Sequence, residues 1–198
     1  NGKDAIAVDV IPFEGAEVKP EFSKIPMWVA DMNFAVVPTI QEEIIERTKH
    51  PAFGYFLPRD EYYSSIIGWQ NKRNGVAGLT KDDIGYENGV LGCVASALQA
   101  FTAPGEAVLL HSPTYIGFTH AIEDNGRKIV LSPLVQDENG VWRMDYDDMD
   151  RKIKENNIHF CVFCSPHNPC GRVWELAEIE KAMEVYKNNQ CIVVSDEI

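Results

Sequence analysis

What the chain has little of already narrows its class. None of its apolar runs approaches the ~18–20 residues that cross a bilayer, so no membrane-spanning segment is expected in these 198 residues. Basic residues are scarce: 18 Lys and Arg stand against 30 Asp and Glu, a net charge of −12 with a pI near 4.8. Such a surface argues against nucleic acid or an anionic membrane as partner. Cysteine is present in an odd number, five, and four of the five sit in or beside apolar runs, which suits a reducing, cytoplasmic setting. The five histidines have no ligand spacing, and no zinc motif is present. Internal repeats, linkers and low-complexity tracts are missing too. No secretory leader is visible, and a chain that starts at Asn1 and stops at a strand edge is expected to be a piece of a longer protein.

What is there centres on residues 160–171. Phe160 to Cys164 is apolar without alternation, as expected of a short strand buried on both faces of a parallel sheet. The run breaks into Ser165-Pro166-His167-Asn168-Pro169, a turn that holds one amide between two prolines. A similar strand, Cys191 to Val194, ends in Ser195-Asp196-Glu197. Between them Leu176, Ile179, Met183 and Tyr186 keep helical spacing. One strand–helix–strand unit with a right-handed crossover makes the strands parallel. Asn168 and Asp196 then share the carboxyl edge of the sheet, where open α/β folds place their ligands. Cys161 and Cys164, three apart on a strand, point to opposite faces and cannot share a ligand, so they read as small buried hydrophobes.

The remaining stretches add pieces to the same edge. Pro12, Pro20 and Pro26 interrupt residues 1–26, which read as an extended arm. Met27 to Phe34 is an apolar loop around an Asp31 expected to be buried. Helices are expected near 38–49 and 60–74, with an aromatic loop, Phe53-Gly54-Tyr55-Phe56, between them. Gly89-Val90-Leu91-Gly92 opens another helix. Glycines at a helix mouth suit a phosphate, or equally tight helix–sheet packing. The spacing is neither Gly-x-Gly-x-x-Gly nor a P-loop, which lowers a nucleotide reading. Strands follow at 107–110 and 128–131, with Tyr115 and a helix over 116–125 between them. Tyr115 reads as a core aromatic or as a platform for a flat ligand. Asp145 to Asp150 resembles the start of a calcium loop, but Asp150 and Asn156 stand where Gly and Glu are required. The acidic run reads instead as a first helical turn.

A glycine-bearing helix mouth, an aromatic, a pinned amide and a carboxylate at one edge would together serve a flat, phosphorylated, nitrogen-containing cofactor. A carboxylate at a buried strand end is costly unless a cation neutralises it. Opposite a protonated pyridine it would keep that ring an electron sink. Asp196 could alternatively cap a following helix.

These segments carry a resemblance. Trp28 to Phe34, Phe53-Gly54-Tyr55, Asn125-Gly126-Arg127, Ser165 to Trp174 and Ser195 to Ile198 resemble fold-type I pyridoxal-phosphate enzymes of the class I/II aminotransferase superfamily. Within it the chain is similar to the cystathionine β-lyase (MalY/PatB) branch. The resemblance implies an α/β fold with a mostly parallel sheet sandwiched by helices. Residues 1–50 would be an arm and part of a small domain, and residues 51–198 the first portion of the large cofactor-binding domain. Gly89, Val90 and Leu91 match the phosphate turn, Tyr115 the stacking aromatic, Asn168 the donor to the cofactor hydroxyl and Asp196 the pyridinium partner. Tyr55 matches a tyrosine that reaches a neighbouring subunit's cofactor phosphate, implying a homodimer with shared sites. Ala30 and Asp31 match a segment near the amino-acid substrate. Asn33 stands where the branch usually has Asp. A cis peptide is implied at Asn168-Pro169. The Schiff-base lysine matches no lysine here and is expected beyond Ile198, so residues 1–198 alone would lack the covalent step.

The implied activity is β-elimination from a sulfur amino acid, giving pyruvate, ammonia and a thiol. An aminotransferase on the same cofactor is one alternative; a binding or scaffold protein that kept the fold without the chemistry is another.

Overall fold

A computed structural model describes all residues except 1–4, 11, 13, 14, 16, 18, 24 and 33; Asn33 therefore lies outside the described residues. The chain forms two units, Asn1–Tyr62 and Tyr63–Ile198. The first contains α1 (Ile6–Asp9) and α2 (Pro38–Thr48), and α3 (Asp60–Asn74) begins at its end. The single turn α1 departs from the expected arm without regular structure. It closes where Val10 N–H donates to the Ile6 carbonyl, 3.1 Å, upstream of the first proline. Pro38 occupies the first turn of α2, where its missing N–H costs nothing.

In the second unit a short 3₁₀ turn, Lys81–Asp83, precedes α4 (Gly89–Phe101), β1 (Ala107–Ser112), α5 (Ile116–Asp124) and β2 (Lys128–Pro133). A small hairpin, β3 (Val135–Gln136) and β4 (Trp142–Arg143), leads to α6 (Tyr146–Glu155), β5 (Phe160–Cys164), α7 (Leu176–Asn188) and β6 (Ile192–Asp196). The main sheet is wholly parallel, in the order β2-β1-β5-β6. From the centre, β1-α5-β2 steps one way and β5-α7-β6 the other. Crossovers of one hand that step in opposite directions must lie on opposite faces. They do: Phe118 and Ile122 of α5 pack with Val94 and Leu98 of α4, while Ala182 and Tyr186 of α7 pack with Met149 and Ile153 of α6.

Strand alternation feeds both layers. Val108 and Leu110, with Phe160, Val162 and Cys164, face α4 and α5; Leu109, Cys161 and Phe163 face α6 and α7. Cys161 and Cys164 thus sit in different cores, as their spacing requires, and no cluster able to hold a metal exists among the described residues. The acidic run at 145–150 starts α6. Asp145 caps it by accepting from Asp148 N–H at 3.0 Å, and Asp148 pairs with Lys152 at 3.0 Å. The hairpin has no counterpart in the sequence reading. Asp137 closes it by accepting from the N–H groups of Asn139, 2.9 Å, and Val141, 3.0 Å. Among the described residues no helix is long and apolar enough to cross a membrane.

Candidate active site

The strand order reverses between β1 and β5, and the crevice at such a switch point is where open parallel sheets bind ligands. Here the crevice is physically open. β1 and β5 are register partners only at Val108–Phe160 and Leu109–Cys161. Their outer partners stay paired to the strand ends, at Ser112–Pro133 and Cys164–Asp196. The turn carrying Tyr115 leaves one lip of this gap, and the turn carrying Asn168 leaves the other.

The N-terminus of α4 opens toward the same edge. Gly89 has φ +78°, a left-handed conformation that favours glycine, and the Asn88 side chain provides no cap. Gly89 N–H is already used by the Glu87 carbonyl, 3.0 Å, which leaves the next N–H groups of the helix mouth, on Val90 and Leu91, for an anion. Glu87 runs back along the helix and accepts from the Ser96 hydroxyl, 2.8 Å. At its other end α4 is held by buried Arg127, which donates to the carbonyls of Leu98, 3.3 Å, and Thr102, 2.7 Å. A cation on orphan carbonyls satisfies them and complements the helix dipole.

Tyr115 precedes α5 and is 38% exposed, with its ring edge-on to Phe118 at 5.5 Å. It is a half-open surface ring, not a core residue. Its ring and the Leu91 side chain both rest on Gly117, where a Cβ would overlap Tyr115 Cε1 and lie 2.9 Å from Leu91 Cδ1. The missing side chain at 117 therefore brings the helix mouth and the aromatic together.

Asn168 is exposed on its turn, and the bonds Ser165–Pro166 and Asn168–Pro169 are both cis, as is Ser112–Pro113. The turn is clamped from behind. His167 N–H donates to the Arg172 carbonyl and Gly171 N–H to the His167 carbonyl, both at 2.7 Å. Arg172 pairs with buried Glu178 and lies over the Trp174 ring, 4.9 Å away. Glu178 also binds Arg143 of the hairpin, 2.9 Å. Burial acts to raise the Glu178 carboxyl, but the Glu175 N–H and the two guanidinium groups outweigh it and hold it below the ordinary carboxylate range.

Asp196 closes β6 and is 8% exposed. Its Oδ1 accepts from Ile198 N–H, 3.2 Å, and its Oδ2 has the Cys164 thiol at 4.0 Å. No cation lies within 4.0 Å among the described residues. Burial, reinforced by Asp196, pushes the Cys164 thiol up and keeps it protonated; a backbone contact with Asn168 offsets this only in part. The carboxylate borders a cavity of about 310 Å³ shared with Val90, Cys93 and Val94 of α4. A buried, unneutralised carboxylate beside a helix mouth with free N–H groups is a fitting receptor for a group carrying a phosphate and a ring cation.

Ala30, Asp31 and Tyr55 lie in the first unit. Asp31 is exposed, which corrects the expected buried Asp. Among the described residues its carboxylate accepts only from its neighbour Met32 N–H, 2.9 Å, and Met32 and Phe34 are exposed with it. Tyr55 is fully exposed.

Two histidines of the second unit were not singled out by their sequence pattern. His111 and His167 are 3% and 2% exposed, and among the described residues the Nδ1 atom of each lacks a hydrogen-bond partner. His167 Nε2 lies 2.8 Å from the Pro113 carbonyl; His111 Nε2 lies 3.3 Å from the Tyr186 hydroxyl. Burial, with His167 nearby, pushes the His111 imidazole down to about 4, and burial pushes the Tyr186 phenol up. The available signal was position: each histidine flanks a proline turn at a strand's carboxyl end.

The family model for aminotransferase class I and II matches residues 24–198. The chain belongs to this family. Among curated class I and II relatives, cystathionine β-lyase PatB of Bacillus subtilis is 36% identical over 174 residues, 88% of this chain and 44% of the relative. Protein MalY of Escherichia coli is 30% identical over 175 residues, again 88% and 44%. Cystalysin of Treponema denticola, whose structure contains pyridoxal 5′-phosphate, superposes with a TM-score of 0.81 at 32% identity, over 88% of this chain and 44% of its own. The chain thus spans less than half the length of the relatives it matches, and it shares their α/β fold.

Proposed function

We propose that this chain forms the cofactor-gripping part of a pyridoxal-phosphate-dependent carbon–sulfur β-lyase. Its substrate would be a sulfur amino acid such as cystathionine or a cysteine conjugate, split to pyruvate, ammonia and a thiol. The observation that carries the reading is Asp196: a buried carboxylate without a cation among the described residues, on the same sheet edge as Tyr115 and Asn168. The likeness to PatB and MalY supports the lyase over an aminotransferase.

The cofactor, when bound, supplies an electron sink for the charge left when the substrate loses its α-proton. Asp196 would keep a proton on the ring nitrogen, and Asn168 would donate its amide to the ring hydroxyl. Tyr115 would cover one ring face and exclude water from it. The Val90 and Leu91 N–H groups, with the turn at Gly89, would hold the phosphate. Ala30 and Asp31 would lie near the substrate, and Tyr55 would reach the phosphate of a second copy, making a homodimer with shared sites. The lysine that carries the cofactor covalently lies outside residues 1–198 in this reading, and the protein works in the cytoplasm.

The test is to give cystathionine to the protein containing this chain and assay pyruvate beside keto-acid-dependent amino transfer. Pyruvate release without a keto acid supports the lyase; transfer without release makes it an aminotransferase. A protein with no cofactor colour that borohydride bleaches would be the scaffold alternative.

A further inference from the structure

The gap between β1 and β5 is bridged once. Beyond Leu109 and Cys161 the two central strands make no ladder contact. Among the described residues a single hydrogen bond joins the turns that follow them, from His167 Nε2 to the Pro113 carbonyl, 2.8 Å. A carbonyl can only accept, so Nε2 carries the hydrogen. The ring is 2% exposed and tilted against Trp174, with ring centroids 5.7 Å apart. Trp174 is itself fixed by its Nε1–H on the Cys164 carbonyl, 3.0 Å. The His111 ring, tied to Tyr186, stands edge-on 6.4 Å away. The His167 side chain therefore has little freedom, and its one directed bond reaches the opposite lip. Asn168 is the next residue on one lip; Tyr115 is two residues past Pro113 on the other.

We propose that His167 is a positioning residue: its Nε2–H bond to Pro113 sets the spacing between Asn168 and Tyr115, and so the tilt of the flat ring held between them. This rests on the proposed cofactor reading. Among the described residues every other hydrogen bond of the Asn168 turn runs to its own segment, to β6 or to α7 and the hairpin through Arg172, and none of these reaches Tyr115. Removing the bridge leaves each lip folded but lets the two drift apart.

The test uses two amides of similar polarity in the cofactor-loaded protein. Gln places its Nε2–H near the His Nε2 position; Asn mimics only Nδ1. His167→Gln is expected to keep the visible circular dichroism of the bound cofactor and its release rate within about twofold. His167→Asn is expected to lose most of that dichroism and release the cofactor about tenfold faster, the scale of one lost hydrogen bond. Equal behaviour of the two variants overturns the proposal. A second measurement needs no variant and no cofactor: nitrogen-15 NMR of the wild-type imidazole should show hydrogen on Nε2. Hydrogen on Nδ1 alone overturns the bridge. A wild-type protein that binds no cofactor sinks the lyase reading instead, and the NMR result still judges His167.

Discussion

Leu109 and Cys161 are the last register partners of β1 and β5, although both strands run three residues further. The parting is local, because β1 stays paired to β2 and β5 to β6 up to their ends. His111, beside this parting, shares the α6/α7 face with Leu109, its ring edge-on to Phe163 at 6.4 Å and its Nε2 3.3 Å from the Tyr186 hydroxyl. The crevice is therefore flanked by two proline turns, one at Pro113 and one at Pro166 to Pro169.

That buried imidazole makes stability sensitive to mild acid. Unfolded, His111 takes a proton near 6.5; folded, burial and the neighbouring His167 delay this to about 4. Between those values the unfolded chain binds more protons, so stability falls as pH drops from 6.5 toward 4, by on the order of 3 kcal/mol. Urea unfolding across that range should show the slope, and His111→Gln should flatten it. An unchanged slope in the variant would assign the effect elsewhere.

Asp196→Asn separates folding from function. The amide keeps Oδ1 for Ile198 N–H and removes a buried charge that has no cation within 4.0 Å among the described residues. Without cofactor, the melting temperature is expected to hold or rise. With pyridoxal phosphate, the affinity is expected to fall at least about tenfold, or 1.4 kcal/mol, and the ligand-induced rise in Tm to shrink accordingly. Thermal unfolding with and without cofactor reads both quantities.

Gly117→Ala tests the contact between the helix mouth and the aromatic. Alanine favours the helix by about 1 kcal/mol, but its Cβ overlaps the Tyr115 ring and crowds Leu91. Tyr115 is exposed enough to swing outward, so unfolding stability should change by less than about 1 kcal/mol. Cofactor binding, measured by fluorescence titration, should weaken several-fold. Normal binding would show that the ring position does not matter.

Glu178→Gln tests the clamp behind Asn168. The substitution strips the carboxylate from Arg172 and leaves Arg143 with that of Asp137 alone, 3.0 Å away; the two arginine side chains are 17% and 37% exposed. A cost of about 2–4 kcal/mol is expected, toward the lower part of the range for breaking a buried pair because Arg143 is partly solvated. The wild-type carboxyl is held below its usual 4.5. Its contribution is thus full above pH 4.5 and lost as pH falls through the lower folded value. The variant's loss should be largest near neutrality and vanish in acid, which denaturation at two pH values would show.

How much was legible follows from the physics of each signal. Uniformly apolar runs such as Phe160–Cys164 declare buried parallel strands because both faces are covered, and helical spacing in 176–186 declares α7. The shared edge of Asn168 and Asp196 then follows from crossover handedness alone. The hairpin at 135–143 was not legible: its strands have two residues each, too short for a period, and a side-chain carboxylate closes it. The burial of Asp31 was expected from its apolar neighbours, yet those neighbours are exposed as well.

The amino-acid order by itself determined which segments are strands of the main sheet, which way they run and which residues reach the carboxyl edge, because those depend on local periodicity and chirality. Only the tertiary structure decided that β1 and β5 part after two pairs, that Gly117 lets Tyr115 meet Leu91, and that His167 reaches Pro113, 54 positions away. Such contacts join residues distant along the chain, and no local pattern encodes the distance between them.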